Sequence, residues 1–324
     1  MRKKSRGYGD LSRKDFFQGA GSALLWTLLP RVSAAAAEAE RIGFSEVAPG
    51  IFVHGGQDAL VNATNRGDIS NACCIIGTAA AAVIDTGGSY QVGKALLEAI
   101  RQITRKPIRY IINTHMHPDH VLGNAAFEGI GAEFIGHHNL PAALAARAES
   151  YLRKARERIG EEAFAGTKIV LPTKLVTDTL DLDLGGRSLT LKARPTAHTN
   201  NDLTIFDSAT ETFFLGDLLF SGHIPTLDGS IVGWLKLIPA LMREKAARAI
   251  PGHGPKSTAW PQAILPEQRY LETIARDVRA MIKDGKTIDE AVASAGQSER
   301  GKWQLFDEYN GMNVTAAFTE LEWE

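Results

Sequence analysis

Residues 114–120 read "THMHPDH", which places three histidines and an aspartate within six positions, 115 to 120. A neutral imidazole offers one donor and one acceptor, so three histidines crowded together do not satisfy one another. A metal ion does satisfy them, and a chain built around one must deliver further ligands from distant segments. His115 and His117, one residue apart, can reach a single ion from a strand end or tight turn. Asp119 and His120 lie further on, at the start of the helical "DHVLGNAAF", and can serve a second ion a few Å away. The distant candidates are His198 after "ARPTA", Asp217 after "TFFLG" and His253 in "IPGHGP". Each stands at a strand end among small or turn-forming residues, as befits a loop presenting one ligand.

The segments around these residues alternate between strand and helix. "FSEVAPGIFVHGG" (44–56) reads as a hairpin at Pro49-Gly50, and "NACCIIGTAAAAVIDTGGS" (71–89) as two strands. Helical spacing runs over 90–104, strands over 107–115 and 132–139, and a long helix over 140–164. Strands return at 178–197 and in a hairpin at 201–220. Residues 230–250 read as mostly helix interrupted at Pro239, and the tail from about 263 as helical. Sheets flanked by helices make a layered α/β domain. Expected boundaries are 35–262 for that domain and 263–324 for a helical extension packed on it.

The first residues have the layout of an export signal. A basic head (Arg2, Lys3, Lys4, Arg6, Arg13, Lys14) precedes the apolar "FFQGAGSALLWTLL" (16–29) and the small-residue "VSAAAA" (32–37). The apolar run falls short of the about 20 residues a membrane span needs. "SRKDFF" resembles the twin-arginine motif, with Lys14 in place of the second arginine. Residues 1–34 are thus expected to be removed and the mature chain to be periplasmic, without a stable membrane span. Their loss takes away seven Lys or Arg and two Asp or Glu, moving the formal charge from −1 to −6. An acidic chain does not suit a phosphate-rich polymer, so a small-molecule substrate is expected and nucleic acid is not. Cys73 and Cys74 are adjacent in an apolar strand and read as core residues.

Together these motifs resemble the metallo-β-lactamase superfamily. Asp85 in "VIDTGG" matches its first motif, "THMHPDH" the second, and His198, Asp217 and His253 the third to fifth. The resemblance implies an αββα four-layer sandwich with the site at one edge. It implies that His115, His117 and His198 hold one metal, that Asp119, His120 and His253 hold another, and that Asp217 bridges them. It places Asp85 behind the ligands, orienting their loop. Two zinc ions are the expected cofactor, sharing a hydroxide; iron and manganese accept the same donors. Asp119 is expected to orient the nucleophile and move a proton. His223, six residues after Asp217, reads either as a substrate contact or as loop packing. His137, His138 and His54 read as structural.

"AHTNNDLTIFD" (197–207), "GDLLFSGHIPTLDGSIVGWL" (216–235) and "NVTAAFTELEWE" (313–324) resemble, more closely, the quinoprotein relay system zinc metallohydrolases. The implied activity is hydrolysis of a small ester, thioester or lactam. Two alternatives stay open: a mononuclear-iron oxidase of sulfur compounds on the same fold, and a periplasmic metal-binding partner without catalysis.

Overall fold

Two β-sheets face each other in the computed structural model, which describes residues 42–324; the expected export signal lies outside the described residues. The first sheet has seven strands in chain order: β1 (Ser45–Ala48), β2 (Ile51–His54), β3 (Ala72–Ile76), β4 (Ala81–Ile84), β5 (Ile108–Ile112), β6 (Glu133–His137) and β7 (Lys174–Val176). β1 to β4 are antiparallel, and β4 to β7 are parallel. The second sheet is ordered β12-β11-β10-β9-β8, from β8 (Thr179–Asp183), β9 (Ser188–Ala193), β10 (Leu203–Asp207), β11 (Thr212–Phe220) and β12 (Arg248–His253). Only β11 and β12 run parallel there.

Strand alternation sorts the side chains into layers. Cys73, Ile84 and Ile112 join Leu191, Ile205 and Phe214 in the apolar layer between the sheets. Their neighbours Cys74, Val83 and Ile111 point the other way, onto α1 (Tyr90–Ile103), which buries Val92, Leu96 and Ile100. The two cysteines therefore serve opposite faces and are both free and buried. The Ser89 side chain starts α1 by accepting from Val92 N. On the outer face of the second sheet, Phe213 and Leu215 pack with α5 (Ile231–Met242), α6 (Leu265–Lys283) and α8 (Phe306–Leu321) through Trp234, Tyr270 and Val314. The result is the expected αββα sandwich with C-terminal helices. No helix among the described residues is long and apolar enough to cross a membrane.

Several elements differ from the sequence reading. α2 (Pro118–Val121) is a single turn, followed by a 3₁₀ turn at Asn124–Phe127. The long helix ends at Ile159, closing α3 (Leu140–Ile159), because Gly160 takes φ 85°; α4 (Glu161–Phe164) is a separate turn. α5 continues through Pro239, and the segment read as its tail is strand β12. Between α6 and α8 lies the short α7 (Ile288–Ser294).

Candidate metal centre

The segments after β5 and β9, the last residue of β12 and the interior of β11, where Asp217 lies three residues before the strand end expected for it, bring all seven expected ligands together. His115, His117, His198 and Asp217 form one group and Asp119, His120 and His253 another, with the ligand atoms of each group within 4.8 Å of one another. Asp217 lies between them. Its Oδ2 is 3.6 Å from His115 Nε2, 3.4 Å from His198 Nε2 and 3.4 Å from His253 Nε2, and its Oδ1 is 3.2 Å from His120 Nε2. Asp119 Oδ2 is 3.4 Å from His120 Nε2 and 3.2 Å from His253 Nε2. Gly252 explains part of "IPGHGP": a Cβ there would meet Asp217 Oδ1 at 1.9 Å.

Each histidine is turned by a partner on its outer nitrogen. His115 Nδ1 donates to Thr114 Oγ1 at 3.0 Å, and that hydroxyl donates to Asp85 Oδ2 at 2.7 Å. His120 Nδ1 donates to Asp85 Oδ2 at 2.8 Å. The carbonyls of Thr226 and Ile69 accept from His198 Nδ1 (2.7 Å) and His253 Nδ1 (2.9 Å). His117 is the reverse case: its Nε2 donates to Asp228 Oδ2 at 2.9 Å. Asp85, at φ 58°, also accepts from Thr114 N at 2.8 Å, so it orients two ligand rings as well as their loop.

This pattern turns the second nitrogen of all five rings inward. His117 Nδ1 lies 3.1 Å from His115 Nε2 and 3.0 Å from His198 Nε2, a convergence of lone pairs without a proton to share. His120 Nε2 and Asp217 Oδ1 are buried with no hydrogen-bond partner. Leaving such atoms unpaired costs about 1–3 kcal/mol each. A divalent cation would satisfy such atoms, and imidazole with carboxylate is a donor set that suits zinc, iron or manganese.

The electrostatics carry the same demand for positive charge. Burial alone would raise Asp217 and Asp119, but the neighbouring histidines hold both carboxyls well below their ordinary range. Burial would lower His253, yet Asp217 and Asp119 push it up to about 10. His198, buried and facing other imidazoles, falls to about 3.

Two residues of the cluster escaped the sequence reading. Asp228 holds His117, and Arg147 on α3 donates to both of its oxygens, at 2.7 and 2.9 Å. His223 stays outside both ligand groups. Its Nδ1 donates to Ile224 O at 2.5 Å, and its ring lies 5.1 Å from His253 and 5.4 Å from Tyr309. His137 and His138 stack on each other at 4.2 Å, outside both groups, and His54 pairs with Asp68 at 2.8 Å.

A family model described as the metallo-beta-lactamase superfamily matches residues 65–253, more than half of the chain and every ligand named above. In fold the chain is similar to a metallo-beta-lactamase from Pontibacter korlensis, with a TM-score of 0.58 and 17% identity over 71% of this chain and 99% of that one. It is also similar to the stereoselective inverting sec-alkylsulfatase Pisa1 from Pseudomonas sp. (TM-score 0.66, 14% identity), over 86% of this chain and 50% of that one. A stretch of 45 residues is 44% identical to the linear primary-alkylsulfatase of Pseudomonas sp. (strain ATCC 19151); it spans 14% of this chain and 8% of that relative. With the family model running from the loop before β3 to the last ligand, the chain belongs to the metallo-beta-lactamase superfamily.

Proposed function

We propose that the protein is an exported hydrolase that uses two zinc ions on a small ester, thioester or lactam, within the quinoprotein relay branch of its superfamily. The observation that carries this reading is the inward set of five imidazole nitrogens and two carboxylates, each ring held from behind. Seven ligands exceed the about four that one tetrahedral zinc takes. Zinc, when bound, polarises the scissile carbonyl and lowers the pKa of water from 15.7 to about 7.

The protein's own groups do the rest. Asp119, part-buried, is kept ionised by His120 and His253; with Oδ2 turned to the cation side, its other oxygen can accept a proton and return it to the leaving group. Asp85, Thr114 and Asp228 fix the rings, so the site needs no rearrangement to act. His223 has Nδ1 committed to Ile224 O and keeps Nε2 for the substrate.

A second substrate class has its own support. The local identity is to an alkylsulfatase, and Pisa1 overlays 86% of this chain where the lactamase overlays 71%. Sulfate esters therefore join the substrate set.

The test is turnover of nitrophenyl esters, thioesters, lactams and alkyl sulfates by zinc-loaded protein. At least one class should be hydrolysed, with activity lost to a chelator and restored by zinc. No turnover by fully loaded protein would favour the binding-partner alternative, and one tight iron without zinc would favour the oxidase.

A further inference from the structure

The last helix reaches back to the loop that turns two of the metal-facing histidines. That loop, residues 222–231 counting the first residue of α5, carries the Thr226 carbonyl that holds His198 and the Asp228 carboxylate that holds His117. The C-terminal segment grips it at three places. Gln304 N donates to Gly222 O at 2.8 Å, and Gln304 O accepts from Ile224 N at 3.1 Å. Asn313 Nδ2 donates to Pro225 O at 2.7 Å while its Oδ1 accepts from Leu227 N at 2.9 Å, so one amide brackets Thr226 on both sides. Glu320 Oε2 accepts from Ile231 N at 2.7 Å, and its Oε1 accepts from Ser230 Oγ.

An apolar lid would not need this. Val314, Ala317, Phe318 and Leu321 already bury α8 in the helical layer. A buried amide matched to two backbone groups costs desolvation unless its geometry is kept, which makes it a register device more than a filler. Asn313 is 2% exposed, and the residues of α8 lie beyond the span 65–253 that matches the family model.

We propose that α8 is a positioning element for the metal centre: Asn313, supported by Glu320, sets loop 222–231 so that Thr226 O and Asp228 hold His198 and His117 in ligating orientation. Asn313 is a positioning residue, acting through the loop on the His115, His117 and His198 group and not on the Asp119, His120 and His253 group. The inference rests on reading those histidines as metal ligands.

Asn310 supplies a matched control. It lies on the same helix, 3% exposed; its Nδ2 donates to Ala295 O and its Oδ1 accepts from Tyr270 OH, the hydroxyl that also accepts from Asn313 Nδ2 at 2.9 Å, but it bonds to nothing in the loop, so its loss removes the shared tyrosine contact and keeps the loop contacts. The experiment measures zinc affinity of both sites by chelator competition, the cobalt(II) absorption spectrum and the thermal stability of the metal-free protein. Asn313→Ala should weaken one site about tenfold or more, the low end of what loss of a ligand's outer partner costs, and leave the other unchanged. Its cobalt spectrum should change accordingly. Asn310→Ala should leave both affinities and the spectrum as in wild type at a similar loss of stability. Glu320→Ala, at a part-exposed position, should weaken the same site less, and decides the question if Asn313→Ala does not fold. Unchanged affinity in the loop-gripping variants, equal weakening of both sites, or an equal effect of Asn310→Ala would overturn the proposal. Wild-type protein that takes up no metal would overturn the metal reading, and this proposal with it.

Discussion

Asp228 shows how much of a ligand's behaviour is set from behind. Its carboxylate accepts from His117 Nε2, and the part-exposed Arg147 holds both of its oxygens. Burial would raise this carboxyl, but the bonds from His117 and Arg147 bring it below its ordinary value, so it stays an acceptor. Without it, His117 keeps an Nε2–H with no acceptor and a ring free to turn. Asp228→Ala is therefore expected to weaken zinc binding at the three-histidine group by about 10–100-fold, and Asp228→Asn by less, since its amide oxygen still accepts. Chelator competition on the purified variants measures this; wild-type affinity in Asp228→Ala would refute the role. The residue was not legible in the sequence for a physical reason. "LDGS" reads as a turn aspartate and Arg147 as one of many charges on a helix face, 81 residues away. By contrast, His115, His117, Asp119 and His120 share one turn, where local spacing alone predicts convergence. His198, Asp217 and His253 stood out because small residues flank them, and Gly252 turns out to be such a residue for a steric reason.

At the scale of elements, periodicity succeeded where a segment had one buried face. The hairpin of β1 and β2, the strands β3 to β6, helix α1 and the hairpin of β10 and β11 lie where the sequence puts them. β12 was missed because "REKAARAI" carries a helical pattern into a strand buried at five of its six residues. As an edge strand, β12 also tolerates Pro251, which donates no hydrogen bond. β7 has three residues, too few to show a period. The helical layer contains its own electrostatic hub. Glu299, buried at the turn between α7 and α8, accepts from Arg269, Lys302 and Trp303. Burial opposes its charge, but those donors hold the carboxyl down at about 2, below its ordinary 4.5. A depressed acid contributes stability above its unfolded value and loses it as pH falls through the folded one. The metal-free protein should therefore lose stability between pH 4.5 and about 2, and Glu299→Gln should be less stable at neutral pH with a flatter profile in that window. Melting temperature against pH, for both proteins, is the measurement; parallel profiles would contradict the assignment.

For the whole molecule, the site exists only once both sheets have formed. Four ligands follow β5 in the first sheet, while His198, Asp217 and His253 come from β9, β11 and β12 in the second. The apolar layer between the sheets and the helices outside them need no cation, so removing a ligand should leave the fold intact. Metal that binds only the folded chain adds stability by mass action. The central claim is that two cations share the seven ligands with Asp217 between them. Elemental analysis of zinc-reconstituted protein, with circular dichroism to confirm folding, tests it most directly. Wild type should hold about two zinc ions per chain, Asp119→Ala about one, and Asp217→Ala fewer than two with weakened binding of what remains. A wild-type chain that saturates at one zinc, or a folded Asp119→Ala that still holds two, would contradict it.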